Sequence, residues 1–342
     1  MGWKILVPKE MRPEGKNFLL NQGHELIERE RTDTLGLMRN IREADAVITK
    51  SAVISREVMN AAKGLKAVAC LGTGYDSVDL KSAREYKIKV VNCPEANVIS
   101  TVETTCFFML YSLRQFTRVR RDFIDDFEGA RQSEEKQELW DKTLGIVGCG
   151  RIGSRVAKVC LESFHMKVLA YDPYKPASEF PKGVRVVRRL EELLEKSDIV
   201  SLHMFPRREE EFRFGMEQFR RMKPTAYLIN TVSGHAVKEE ELYAACRDHV
   251  IAGAALDCLE QMPVDKRNPI LYMDNILIAP SISSSTREAD TRTSLQAAMG
   301  IQEVYEGKTP SYEVREPDWK NMTVYRDTGK TGAEEEPGQE PD

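Results

Sequence analysis

The chain has few residues of the types that build metal centres and disulfide frameworks. Its five histidines and seven cysteines are scattered, and no C-x-x-C pair occurs. This spacing gives no metal site and predicts reduced thiols in a cytoplasmic protein. No apolar run approaches the length of a membrane span, and the N-terminal M-G-W-K-I-L-V-P lacks the pattern of a signal peptide.

Neither sign of charge dominates the chain. The sequence carries 50 Lys and Arg residues against 54 Asp and Glu residues, which gives a formal net charge of −4. This balance supplies no electrostatic reason to expect nucleic acid or an anionic membrane as a partner.

What the chain does have is a regular alternation of two patterns. Its 342 residues suggest two domains. Short apolar runs alternate with helical patterns along most of the length, with strands predicted at 3–8, 46–49, 67–70, 144–147 and 226–230. Strands that alternate with helices predict an α/β fold with parallel, doubly wound sheets.

The most informative stretch runs from Leu144 to Asp172. It reads as strand, G-x-G-x-x-G turn, helix and second strand, and Asp172 stands at the end of that strand. The glycines allow a tight turn and the close approach of a pyrophosphate. The free N–H groups at the helix N-terminus then bind the negatively charged pyrophosphate. A carboxylate about 20 residues further along the chain accepts a hydrogen bond from a ribose 2′-OH and repels a 2′-phosphate. The pattern therefore favours NAD over NADP. The alternative is an ordinary strand–turn–helix unit that binds nothing. The predicted cofactor-binding residues of this stretch are Gly148, Gly150, Arg151, Ile152, Gly153 and Asp172.

Two other segments are distinctive. Residues 101–116 are apolar almost all round, which predicts a helix buried on several sides, between two lobes or two subunits. Residues 319–342 are rich in acidic residues and poor in apolar ones, which predicts a disordered tail.

Five sequence strings together identify a family. They are L-G-T-G-Y-D-S-V-D, V-N-C-P-E-A-N-V-I-S-T-V-E, K-T-L-G-I-V-G-C-G-R-I-G, M-K-P-T-A-Y-L-I-N-T and A-G-A-A-L-D. On these strings the chain resembles the D-isomer-specific 2-hydroxyacid dehydrogenases over roughly residues 1–312. The resemblance implies two doubly wound lobes, flavodoxin-like and Rossmann, with an interlobe cleft that binds a small-molecule substrate. It also implies a substrate domain of residues 1–100 plus 283–318 and an NAD-binding domain of residues 101–282.

The resemblance assigns further residues. Asp257 stands where the family contacts the nicotinamide end of NAD. Gly72, Thr73 and Gly74 match a substrate-carboxylate cradle, although the same loop also fits a plain strand-to-helix turn. Tyr75 either reaches the cleft or packs at its edge, and we favour packing. The helix at 101–116 corresponds to the region through which family members form homodimers.

The family's three catalytic side chains are all replaced in this sequence. The family reduces 2-keto acids with an Arg that binds substrate, a His that donates the proton and a Glu that orients the His. Ser233 stands at the Arg position, Met262 at the Glu position and Ser281 at the His position. Since a serine cannot replace a charge, ordinary 2-keto acid reduction is disfavoured.

His235 is the weak candidate for a catalytic group near these positions. It lies two residues after Ser233. Its imidazole either binds or protonates a different substrate, or His235 is a surface residue of the loop.

Three functions remain open. The first is an NAD-dependent oxidoreductase with altered chemistry, for which an imine or activated alkene is a suitable substrate. The others are a catalytically inactive NAD(H)-binding sensor or partner protein and a redox-neutral enzyme with retained NAD.

Overall fold

The computed structural model describes residues 2–29, 37–38, 40–132, 136–204 and 213–315. These residues form two compact units. One contains the described residues up to Phe108 and those from Ile278 onward, and the other is Met109–Leu277. The functional division into 1–100 plus 283–318 and 101–282 stays a prediction, and the tail 319–342 lies outside the described residues.

The first unit is built on a parallel sheet. Its strand order is β2-β1-β3-β4-β5, with β1 Lys4–Pro8, β2 Glu25–Arg29, β3 Ala46–Thr49, β4 Ala67–Cys70 and β5 Lys89–Val91. The helices are α1 Pro13–Asn21, α2 Arg56–Ala61, α3 Leu80–Glu85 and, from the far end of the chain, α11 Arg287–Tyr305. Every residue of β3 and β4 is buried, as expected for parallel strands covered on both faces.

Helix α11 belongs to the core of the first unit although it is distant in sequence. Its Ala297, Ala298 and Ile301 are fully buried in one cluster with Ile5 and Ile48 of the sheet. The small residues let the helix lie close to the strands. A Cβ on Gly300 would stand 2.9 Å from the Val91 side chain.

Helix α4, Val98–Leu113, leads the chain into the second unit. This is the helix expected at 101–116, and the described chain buries it only in part. Phe108 and Met109 are buried, but Phe107 is 54% exposed and Leu110 is 38% exposed.

The second unit is built on a seven-stranded sheet of order β12-β11-β10-β9-β6-β7-β8. The strands are β6 Thr143–Val147, β7 Lys167–Tyr171, β8 Arg185–Val186, β9 Ile199–Leu202, β10 Tyr227–Asn230, β11 Gly253–Leu256 and β12 Ile276–Ile278. The helices are α5 Phe116–Asp125, α6 Phe127–Gln132, α7 Arg151–Glu162, α8 Leu190–Lys196, α9 Met216–Phe219 and α10 Glu239–Arg247.

The strand order places a switch point beside β6. The chain runs from β6 outward through β7 and β8, then returns to β9 on the other side of β6. Ligands of doubly wound sheets bind outside the carboxyl ends of the strands at such a point. Gly148 follows β6 there, His203 follows β9 and Asp257 follows β11.

The predicted α/β fold with two parallel, doubly wound sheets is confirmed. The helix predicted at 101–116 lies at Val98–Leu113, and the short strand β8 was not predicted. Among the described residues, no helix is long and apolar enough to cross a membrane.

Candidate functional site

The glycine turn after β6 has the geometry that its sequence predicts. Gly148 has a φ of +90°, and its N–H donates to the Tyr171 carbonyl over 2.8 Å. A Cβ on Gly153 would stand 2.2 Å from the Gly148 carbonyl oxygen, so the first turn of α7 packs directly on the glycine turn. Only glycine permits both this backbone conformation and this contact.

Asp172 is fixed to the same turn by main-chain hydrogen bonds. Its Oδ2 accepts from Cys149 N–H over 2.9 Å, and its Oδ1 accepts from Tyr174 N–H over 3.0 Å. Lys175 Nζ donates to the Cys149 carbonyl over 2.7 Å and lies near Ser154 Oγ. The Asp172 carboxylate, which is predicted to bind the ribose, therefore lies beside the glycine turn that is predicted to bind the pyrophosphate.

The residues of this turn fit a dinucleotide. No heavy atom lies within 4 Å of the Cβ position of Gly150, so the space that a side chain would fill is open at the start of α7. Arg151 occupies the first position of that helix and is exposed, while Ile152 is half-buried. A pyrophosphate at this opening meets the N-terminal N–H groups of a helix of 12 residues.

Two polar residues follow strands β11 and β9, which β10 separates, at the same edge of the sheet. Asp257 is 4% exposed, and its N–H donates to the Asn230 carbonyl over 2.9 Å. His203 Nε2 lies 2.9 Å from Ser201 Oγ, and its Nδ1 is buried without a hydrogen-bond partner among the described residues. Burial lowers the pKa of His203 to about 3, so its ring is neutral at physiological pH.

The positions predicted to correspond to the family's catalytic groups hold uncharged side chains. Ser233 Oγ accepts the N–H of His235 over 3.3 Å, at the start of a short 3₁₀ turn. Met262 is 43% exposed. Ser281 is exposed and has a φ of +58°, in the left-handed region. Ser233 and Met262 belong to the second unit, and Ser281 belongs to the first.

An ionic cluster lies beside Ser233 within the second unit. Arg213 Nη2 is 2.6 Å from Glu260 Oε2, and His235 Nδ1 is 3.7 Å from Glu260 Oε1. Arg213 also donates from Nε to the His235 carbonyl over 3.0 Å. The imidazole of His235 is 70% exposed, so solvent screens its attraction to the carboxylate. The cluster brings together Arg, Glu and His side chains at positions other than Ser233, Met262 and Ser281, where the sequence predicts the family's catalytic groups.

The predicted substrate loop lies in the first unit. Gly72, Thr73 and Gly74 line a cavity of about 640 Å³ at the carboxyl ends of β3 and β4. The N–H groups of Thr73 and Gly74 donate to no described residue, so both can bind an anion. Tyr75 is half-buried and packs against the hydrophobic core of this unit instead of lining the cavity.

Sequence reasoning missed several charged residues of this cavity. Glu10, Arg12, Lys50, Asp76 and Asp290 all line it. Lys50 directly follows β3, so its place after a buried strand was a signal in the sequence. Glu10 and Asp290 are 280 residues apart and give no such signal. Among the described residues, no cluster of His, Cys, Asp and Glu has the arrangement of a metal site.

Comparison with known proteins identifies the family. The model for the NAD-binding domain of D-isomer specific 2-hydroxyacid dehydrogenases matches residues 106–283. Hydroxypyruvate reductase of Thermotoga maritima is 32% identical over 297 residues, which are 86% of this chain and 95% of that protein. D-3-phosphoglycerate dehydrogenase of Archaeoglobus fulgidus is 33% identical over 306 residues, which are 89% of this chain but only 58% of that protein. The chain therefore spans little more than half of the length of this relative.

Solved structures agree with the sequence relatives. NAD⁺-bound 3-phosphoglycerate dehydrogenase of Entamoeba histolytica matches with a TM-score of 0.75 at 25% identity, over 92% of this chain and 99% of that one. An acyclic imino acid reductase in complex with NADPH and D-Arg matches with a TM-score of 0.75 at 26% identity, over 91% and 100%. The chain belongs to the D-isomer-specific 2-hydroxyacid dehydrogenase family, and its cofactor is NAD.

Proposed function

We propose that the chain is an NAD-dependent oxidoreductase whose substrate carries a C=N bond instead of a ketone. The observation that carries the proposal is the replacement of all three charged catalytic side chains in a chain that keeps a complete dinucleotide turn. Ser233, Met262 and Ser281 stand where the family has Arg, Glu and His. NAD supplies hydride transfer when it is bound, with Gly148, Gly150, Asp172 and Asp257 as its binding residues.

The chemistry of an iminium suits these uncharged positions. Reduction of a ketone needs a proton and stabilisation of a developing alkoxide, and a positioned acid is worth about 10²–10⁴-fold in rate. An iminium, R₂C=NH₂⁺, already carries its proton. Hydride adds to carbon, the π pair moves onto nitrogen and a neutral amine results, so this chain needs to supply no acid. An activated alkene is the second candidate substrate. Hydride adds to its β-carbon, the π pair moves into an enolate instead of an alkoxide at the reacting carbon, and the enolate then takes a proton from water at its α-carbon.

One solved relative supports this substrate class. The acyclic imino acid reductase shares the fold and 26% of aligned residues with this chain. The hydroxypyruvate reductase and phosphoglycerate dehydrogenase relatives are named for 2-hydroxy acid chemistry, so the family accommodates both kinds of substrate.

The ionic cluster of Arg213, Glu260 and His235 favours a second candidate function. Ordinary keto acid reduction remains feasible if His235 donates the proton while Glu260 orients it. Glu260 lies 3.7 Å from the ring and is itself fixed by Arg213. The exposure of the imidazole is the reason why we rank this candidate second.

A substrate screen separates the candidates. We expect NADH oxidation with imino acids formed from 2-keto acids and ammonia or methylamine, and rates at least 10²-fold lower with the keto acids alone. Asp172→Asn should abolish turnover through loss of NADH binding, whereas Asp141→Asn, an exposed aspartate of the same unit, should not.

Three other results would contradict the proposal. Fast keto acid reduction that His235→Gln lowers by about 10²-fold or more would establish the second candidate. Tight NADH binding without turnover of imines, enoyl compounds or keto acids would instead indicate a non-catalytic NAD(H)-binding protein. Stoichiometric NAD in the purified protein, with turnover that needs no added cofactor, would indicate the redox-neutral enzyme.

A further inference from the structure

The middle residue of the glycine turn, Cys149, is held by contacts to both polar groups of its main chain. Its N–H donates to Asp172 Oδ2 over 2.9 Å. Its carbonyl oxygen accepts from Lys175 Nζ over 2.7 Å and from Ser154 Oγ over 2.8 Å. All of these residues belong to the second unit. The loop after β7 and helix α7 therefore fix the turn after β6 at this one residue.

Lys175 is placed for this contact by its own surroundings. It lies three residues after Asp172, and its N–H donates to the Asp172 carbonyl over 3.4 Å. Its ammonium also donates to Ser154 Oγ over 3.3 Å and lies 5.6 Å from the centre of the Phe180 ring. The residue is half-buried, and it forms no ion pair with an acidic side chain of the described chain. Its charge-assisted hydrogen bond therefore goes to a neutral main-chain carbonyl.

The position of the Cys149 carbonyl determines the direction of the next N–H group. The peptide bond between Cys149 and Gly150 is planar and trans, so its N–H points opposite to its carbonyl. The Gly150 N–H therefore points away from Lys175 and Ser154, and it donates to no described residue. No heavy atom lies within 4 Å of the Cβ position of Gly150. This N–H is thus available to a ligand in an open part of the turn.

We infer that Lys175 is a positioning residue for NAD. Its ammonium holds the Cys149 carbonyl and so presents the Gly150 N–H, together with the N-terminal N–H groups of α7, to the pyrophosphate of the cofactor. A hydrogen bond from a charged donor is about twice as strong as one from a neutral donor, so Lys175 fixes the carbonyl more firmly than Ser154 does. The inference concerns cofactor binding and holds whichever substrate is reduced.

Equilibrium binding of the cofactor and its fragments to the full chain tests this role without any turnover. The probes are NADH, ADP and adenosine, which share the adenosine group and differ in their phosphates. We expect Lys175→Met to weaken the binding of NADH and ADP about tenfold and that of adenosine less than about twofold. Lys175→Arg, which keeps a cationic donor, should bind all three within about threefold of the wild type.

Lys182→Met is the matched control, because Lys182 is an exposed lysine of the same unit and its replacement should leave the binding of all three probes unchanged. Unchanged adenosine binding by Lys175→Met also shows that this variant folds. Equal losses for ADP and adenosine, wild-type affinity of Lys175→Met for ADP, or a tenfold loss in Lys175→Arg would each overturn the inference.

Salt dependence separates the inferred role from direct contact between the ammonium and the phosphates. A hydrogen bond to a neutral carbonyl is insensitive to ionic strength, whereas an exposed ion pair with a phosphate is screened. We expect the loss of ADP affinity in Lys175→Met to be the same at about 50 mM and about 500 mM salt. A loss that disappears at the higher salt concentration would show direct ion pairing and overturn the positioning role.

Discussion

His203 shows how one partly buried side chain links folding to pH. Its pKa is lowered to about 3 by burial, because the charged ring would lose hydration without gaining a charged partner. The unfolded chain binds this proton below the ordinary histidine pKa of about 6.5, while the folded chain does not. The stabilising contribution of neutral His203 is therefore complete above pH 6.5 and is lost as the pH falls from there toward 3.

We predict that His203→Gln flattens the pH dependence of stability. In the wild type, His203 alone should lower the free energy of unfolding by about 1 kcal/mol between pH 6.5 and pH 5.5, because the histidine of the unfolded chain is already half protonated at pH 6.5. Urea unfolding of wild type and variant at both values measures the difference. His249→Asn, which replaces an exposed histidine, serves as the control, and identical slopes for wild type and His203→Gln would refute the assignment.

Single residues were predictable from sequence where the chemistry is local. Gly148, Gly153 and Asp172 follow from spacing along one strand–turn–helix–strand unit, and the structure joins them by short contacts. The charged residues of the cavity were not predicted, because Glu10 and Asp290 line one cavity only through the packing of α11 on the first unit. The contact of Glu260 with Arg213 and His235 likewise depends on how two loops pack.

At the level of elements, two glycines of the turn after β6 should affect different properties: Gly150 the binding of NADH, and Gly153 the stability of the fold. A methyl group at Gly150 has open space, whereas at Gly153 it would stand 2.2 Å from the Gly148 carbonyl oxygen. We predict that Gly150→Ala folds like the wild type but weakens NADH binding about tenfold or more, because the methyl group enters the pyrophosphate space. Gly153→Ala should lower the free energy of unfolding by about 1–3 kcal/mol.

Thermal unfolding and NADH fluorescence titration measure the two effects separately. Gly64→Ala is the control for glycine substitution as such, since its Cβ position meets nothing closer than 3.9 Å. A Gly150→Ala variant that binds NADH with wild-type affinity would show that the pyrophosphate does not approach this residue.

Elements were predictable where the apolar runs are continuous. The strands at 46–49 and 67–70 are wholly buried, and their sequences contain little else but apolar residues. Strand β8 is two residues long and starts with an exposed arginine, so no periodicity marks it. The sequence of helix α4 predicts burial on several sides, but the described residues of one chain cover only part of the helix.

Several large apolar side chains of neighbouring helices in the described chain are exposed to solvent. Phe107 and Leu110 of α4 are exposed, and α5 and α6 add Phe123, Ile124 and Phe127, of which Ile124 is 81% exposed. We propose that a second copy of the chain covers this surface in a homodimer. Sedimentation equilibrium should give a dimer that Ile124→Asp weakens, and a wild-type monomer at micromolar concentration would contradict the proposal.

The division of the chain into two units was predictable only in part. Length suggests two domains, but the return of α11 to the first unit is a long-range arrangement that came from the family resemblance. Nothing in the periodicity of 287–305 specifies which sheet the helix covers. The predicted NAD turn lies in one unit and the charged cavity in the other.

Transfer of deuterium from NADH labelled at C4 tests directly whether the chain reduces a C=N bond instead of a ketone. Full-length protein is incubated with both C4 epimers of the labelled cofactor, a 2-keto acid and ammonia, and the products are analysed by mass spectrometry. We expect one of the two NADH epimers to give an amino acid with one deuterium on its α-carbon, and we expect little deuterated hydroxy acid from either epimer. Deuterium found mainly in the 2-hydroxy acid would contradict it.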